Sequence, residues 1–111
     1  MNLRNNVQLI GHLGADPIVK EVNKTKVANF SVAVNDYYKP KGSEEFVEKT
    51  MWFNVVAWDR HAEKIEKKCT KGTEVIISGK LESKSYTDKE GVKRFVTEVR
   101  VVEIICRTKA A

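Results

Sequence analysis

Two tryptophans bracket one short apolar run, Trp52-Phe53-Asn54-Val55-Val56-Ala57-Trp58. Side chains alternate between the two faces of an extended strand. Phe53, Val55 and Ala57 therefore share one face, and Trp52, Asn54, Val56 and Trp58 the other. The uninterrupted apolar set belongs inside a fold, which turns both indoles outward, and two exposed indoles on one strand point to a ligand. The competing reading packs them under a neighbouring helix or in a subunit interface; it applies most to Trp58, which adjoins the one helical stretch. Other rings stand among cations. Tyr37 and Tyr38 precede Lys39-Pro40-Lys41, Tyr86 shares its parity with Lys80 and Lys84, and Arg94 and Phe95 follow on the returning arm. Rings interleaved with cations are what an unpaired nucleic-acid strand requires. A ring stacks on any base, at roughly 1–3 kcal/mol each, while cations follow the phosphates. Such a surface tolerates any sequence.

These residues need rigid elements to hold them. Val7, Leu9, Gly11 and Leu13 alternate with Gln8, Ile10 and His12, a strand pattern ended by the turn residues Gly14-Ala15-Asp16-Pro17. A short extended piece follows over 18–22. Ala28, Phe30, Val32 and Val34 form the apolar face of a second long strand, and residues 35–45 read as a polar loop. The third strand runs from about Phe46 to Trp58. Residues 59–71 are predicted helical, with Asp59 as N-cap, Gly72 as the stop, and Ala62, Ile65 and Cys69 on the buried face. Residues 74–86 and 92–105 make a final hairpin around Gly91. Three strands, one helix and two strands give an all-β OB-fold, a five-stranded Greek-key barrel with its helix between strands 3 and 4. An immunoglobulin-like sandwich would need about seven strands and no helix.

Composition is consistent with one domain over 1–111, with no linker, repeat or low-complexity segment. Lys plus Arg number 20 against 15 acidic residues, a formal charge of +5, which favours polyanions, either nucleic acid or an acidic membrane surface. The Met1-Asn2-Leu3-Arg4 start lacks a signal-peptide core, and no apolar run reaches the roughly 18–20 residues of a membrane span. Cys69 and Cys106 are too few for a disulfide framework and sit in no CxxC, which suits a reducing, cytoplasmic setting. Enzyme readings are weak. His61-Ala62-Glu63 has the H-x-E spacing of a zinc deaminase without the P-C-x-x-C that should follow. Gly11 and Gly14 lack a downstream Gly-Lys-Ser/Thr. Asp16, Asp36, Asp59 and Asp88 occupy turns or a cap, where aspartate is expected without metal. No cofactor or metal is implied.

In order along the chain, several blocks resemble bacterial single-stranded DNA-binding protein. Residues 6–17 match its "N-x-hydrophobic-x-L-x-G-x-L-G-x-D-P" opening, and Val27-Ala28-Asn29-Phe30-Ser31-Val32-Ala33 its second strand. Trp52 to Trp58 match its third strand, Lys71 to Leu81 its fourth, and Tyr86 to Val99 its last hairpin. The resemblance covers about residues 4–105. It implies base stacking by Tyr38, Trp52, Trp58 and Tyr86, and phosphate contacts by Arg4, Lys41, Arg60, Lys71, Lys84 and Arg94. It further implies a homotetramer whose first strands pair across a dimer interface, and roles in DNA replication, recombination and repair in the bacterial cytoplasm, associated with the nucleoid. Members normally carry a disordered tail whose acidic tip recruits replication and repair proteins. This chain ends at Lys109-Ala110-Ala111, so such partners are expected only if a tail exists beyond it. A primosomal OB-fold protein and an RNA-binding OB-fold are the alternatives, since stacking alone does not distinguish ribose from deoxyribose.

Overall fold

The computed structural model describes residues 4–107. The start at Met1-Asn2-Leu3 and the end at Lys109-Ala110-Ala111, both read above from sequence, lie outside the described residues. The elements are β1 (Val7–Leu13), β2 (Ile18–Val22), β3 (Thr25–Tyr38), β4 (Val47–Trp58), α1 (Arg60–Lys68), β5 (Glu74–Thr87) and β6 (Lys93–Arg107). Neighbours run β1-β5-β6-β4-β3, and the ring closes where His12 and Leu13 of β1 meet Ala33 and Val32 of β3. This is the five-stranded barrel of an OB-fold. The short piece expected at 18–22 is β2, which pairs on β3, so the helix between the third and fourth barrel strands lies between β4 and β5 in chain order.

Period-two alternation fills the interior. Leu9 and Leu13, Ala28, Phe30 and Val32, Val55 and Ala57, and Val75 and Ile77 form a buried cluster with Val99, Val101 and Ile104. Each large apolar side chain removed from water contributes roughly 1.5–3 kcal/mol. A bulge at Ser78/Gly79 reverses the parity of β6. Gly79 faces Val101 and Ser78 faces Glu103, so Val102 is the extra residue, and inward positions shift from 99 and 101 to 104 and 106. Ala62, Ile65 and Cys69 seal one end from the helix, as their spacing predicts.

Three local expectations change. Asp59 does not cap the helix with its side chain. Its backbone is held elsewhere, with φ 56° and ψ −123°, its N–H donating to the Lys26 carbonyl at 2.9 Å and its carbonyl accepting from Glu63 N–H at 3.0 Å. The helix also stops at Lys68 rather than Lys71. The next backbone groups are claimed by β1: Gly72 N–H donates to the Leu13 carbonyl at 2.9 Å, and Lys71 N–H to Asp16 Oδ1 at 2.8 Å. Gly72, at φ 89°, serves the turn from Thr70 to Thr73 instead of the helix end. The polar loop is shorter than expected, because β3 continues to Tyr38, which pairs with Val47.

Candidate nucleic-acid interface

The interface residues follow from register. Across β3 and β4, Val27 faces Trp58, Asn29 faces Val56, Ser31 faces Asn54 and Ala33 faces Trp52. The sheet passes from β4 to β6 where Val56 meets Arg100, and from β6 to β5 where Arg100 meets Lys80 and Arg94 meets Tyr86. One outer surface over β3, β4, β6 and β5 thus collects Trp52, Trp58, Lys84, Tyr86 and Arg94. Trp52 is 61% exposed and Tyr86 56%. Trp58 is half-buried and lines a cavity of about 470 Å³ with Arg60, His61 and Arg100. Val56, on the same outward parity, is nonetheless buried, flanked in the middle of the sheet by Asn29 and Arg100.

The other expected residues are scattered around this surface. Tyr37 and Tyr38 are both exposed at the end of β3. Tyr37 lies opposite Glu48 and shares the parity of Trp52's face, whereas Tyr38 leaves the opposite side of the ribbon. Lys41 is exposed in the turn that Ser43 N–H closes onto the Pro40 carbonyl. Arg4 precedes Asn5, whose side chain bonds both the N–H and the carbonyl of Leu81 on β5. Lys71 stands apart. It lies in the turn after the helix, at the end of β5 opposite the hairpin tip.

Three cations of the sheet are already paired. Lys84 Nζ is 2.6 Å from Glu98 Oε1, Arg94 Nε is 3.0 Å from Asp88 Oδ2, and Arg100 is 3.1 Å from Glu82. The Arg94 and Arg100 pairs are exposed pairs, worth roughly 0–1 kcal/mol, so a phosphate can displace the carboxylate. Glu98 is the less accessible acid, its side chain only 13% exposed. Asp88 organises the β5–β6 turn. Its Oδ1 accepts from Val92 and Glu90 N–H groups, and its Oδ2 from Arg94, and these bonds hold its carboxyl below the ordinary aspartate value.

Three exposed residues stand outside the contact set that the resemblance implies, and of these only Phe95 was named from sequence among the rings that stand with cations. Phe46 and Phe95 are each 70% exposed, and Lys93 Nζ sits 5.5 Å from the Phe95 ring centroid. Arg100 lines the Trp58 cavity. The alternation of Arg100 between Val99 and Val101 carried a signal; Phe46, read as the first residue of the third strand, lies just before β4 and carried none. Among the described residues, no group of three His, Cys, Asp or Glu side chains could hold a metal ion, and no helix is long and apolar enough to cross a membrane.

Comparison with known proteins agrees with this geometry. The chain is 40% identical over 101 residues to "Single-stranded DNA-binding protein 1" of Xylella fastidiosa, spanning 90% of this chain and 74% of that protein. It is 38% identical over 99 residues to the "Single-stranded DNA-binding protein" of Bacteroides thetaiotaomicron, spanning 87% and 62%. The solved structure of Plasmodium falciparum SSB in complex with ssDNA superposes with a TM-score of 0.85 at 28% identity, over 97% of this chain and all of that one. The profile of the Single-strand binding protein family matches residues 4–106, and the chain belongs to that family.

Proposed function

We propose that this protein binds single-stranded DNA without reading its sequence, stacking bases on Tyr38, Trp52, Trp58 and Tyr86 while Arg4, Lys41, Arg60, Lys71, Lys84 and Arg94 follow the phosphates. The observation that carries the reading is Trp52, a large apolar ring left exposed on a sheet face that also carries paired cations. A family of binding proteins leaves no role for the deaminase-like His61 and Glu63 spacing as an enzyme site.

The finer parts of the proposal are a homotetramer, a cytoplasmic and nucleoid-associated location, and service in replication, recombination and repair. Self-association is supported by two features. β1 meets β3 only at His12 and Leu13, so the edge of β1 over Val7–Gly11 is open among the described residues. Beside that edge, Ile10, Ile76 and Ile105 lie in register as an outward apolar row, with Ile10 and Ile105 well exposed. An open edge next to an apolar row suits pairing with a second copy of the same strand.

The test is titration with oligo-dT while tryptophan emission and light-scattering mass are followed. Strong quenching at micromolar protein or below, weakening with salt by about 0.7 logarithmic units per phosphate neutralised, is the expected result. Unchanged emission at low salt would overturn the stacking reading, and a monomeric mass the oligomer. Titration with oligo-U tests the RNA-binding alternative.

A further inference from the structure

The only two cysteines of the sequence, Cys69 and Cys106, lie 37 positions apart yet face one another inside the fold, with Sγ atoms 2.7 Å apart. Cys69 is the extended residue that follows α1, and its N–H still bonds the Ile65 carbonyl at 2.9 Å. Cys106 lies on β6 opposite Val75, on the parity that the bulge at Val102 turns inward. Lys64 strengthens this junction by donating to the Ile104 carbonyl at 2.6 Å. Both thiols are free. A disulfide needs sulfurs about 2.05 Å apart on backbones that already approach, so closing the bond requires only a small side-chain adjustment.

We propose that Cys69 and Cys106 form an intramolecular cross-link site, which a small-molecule disulfide converts from a dithiol to a disulfide tying the C-terminal end of the helix to the last barrel strand. The two thiols have different tasks. Cys106 is half-buried and therefore the reachable one, while Cys69 is buried. Burial, then the hydrogen bond with Cys106, pushes the Cys69 thiol up to about 12, which keeps it protonated and leaves the first attack to Cys106. The Cys106 thiolate attacks one sulfur of the added disulfide and expels the first small thiolate, leaving a mixed disulfide on Cys106. The Cys69 sulfur then attacks Cys106 Sγ, expels the second small thiolate, and gives its proton to that leaving group. Two electrons pass from the protein to the small disulfide, which leaves as two thiols.

The cross-link lies far from the Tyr86 end of the stacking surface. On the β5–β6 ribbon, Cys106 pairs with Val75 and Arg94 pairs with Tyr86. That separation of eleven residues along β5 is roughly 36 Å at the rise of a strand.

The test is to hold the full chain in excess oxidised glutathione, quench with acid, and compare thiol alkylation, intact mass, peptide map and melting midpoint with a reduced sample. The expected product has lost two hydrogens, takes up no alkylating agent, carries a 69-to-106 linked peptide, and melts on the order of 10 °C or more higher. Reduction should reverse every change, and oligo-dT affinity should stay within about two-fold by either treatment. C69S should stop at the glutathione adduct on Cys106, and C106S should remain unmodified. Two alkylatable thiols after oxidation, a stable double adduct, or a bond only between chains would each overturn the proposal. The wild-type mass and alkylation readings stand even if a serine variant folds poorly.

Discussion

The Trp52 indole rests on Gly14, so closely that a methyl group on that glycine would overlap the outer carbons of the ring. Gly14 follows β1 and is fixed there by its N–H, which donates to the Ser31 carbonyl at 3.1 Å. A bare backbone thus forms the floor beneath the most exposed indole of the sheet. The overlap of a Gly14→Ala variant is with the far end of a side chain rather than with backbone, so the fold accommodates it by moving the ring. Expected is a loss of roughly 1 kcal/mol in oligo-dT affinity, the low end of a single stacking contribution, with a melting midpoint near that of the parent. Equal affinity in a fluorescence titration would mean that the ring's seat does not matter to binding.

The two tryptophans should separate on a different axis. Trp52→Ala removes a ring that packs little and stacks freely, so affinity falls by about 1–3 kcal/mol while stability is nearly unchanged. Trp58 is half-buried beside Arg60 and Arg100, so Trp58→Ala should lower both affinity and melting temperature. Paired titrations and thermal melts check this. Similar stability losses in both variants would contradict the difference in packing.

The barrel and its inward set were legible because alternation in β1, β3 and β4 is nearly unbroken, and the exposed Trp52 follows from the same parity. What escaped the sequence was decided by contacts between distant segments. No local signal at Lys71-Gly72 says that Asp16 and Leu13 will claim their N–H groups and end the helix early. The two-residue turn at Asn23-Lys24 carries positive φ at both positions without a glycine to mark it. The β6 bulge, which turns Ile104 and Cys106 inward, depends on the strand opposite. Pairing of Lys84 and Arg94 with acids is likewise a property of cross-strand neighbours, so sequence parity supplied the cations and not their competition.

That competition predicts a gain of binding. Glu98 holds Lys84 at 2.6 Å on the face proposed for DNA. Glu98→Gln removes one negative charge and frees the ammonium, so affinity for oligo-dT should rise at low salt. The salt dependence should steepen by about 0.7 logarithmic units if one more phosphate is neutralised. Weaker binding would instead mean that Glu98 positions Lys84 for its contact.

Asp59 links β4 to the helix in a backbone conformation that favours glycine, at φ 56° and ψ −123°, and its carboxylate makes no capping bond. Non-glycine residues in such regions cost on the order of 1–3 kcal/mol. Asp59→Gly should therefore raise the unfolding free energy by roughly 1 kcal/mol, measured by urea denaturation. A fall would show that the charge beside Arg60 and His61 outweighs the relief of strain.

Asp88 gives the binding surface a defined response to acid. Backbone bonds from Val92 and the Arg94 side chain hold its carboxyl below the ordinary aspartate value of 3.8. A lowered value in the folded state means that the folded protein binds fewer protons than the unfolded chain near that pH. Its stabilising effect is then complete above the unfolded value, and is lost as pH falls through the lowered folded value. Protonation would release the Glu90 and Val92 N–H groups and the Arg94 guanidinium together, loosening the turn that carries Tyr86. Carboxyl NMR titration should place Asp88 below ordinary aspartates, and Asp88→Asn should flatten the acid limb of the stability profile while retaining the fold at neutral pH. An unshifted Asp88 carboxyl would mean that these bonds do not persist in solution.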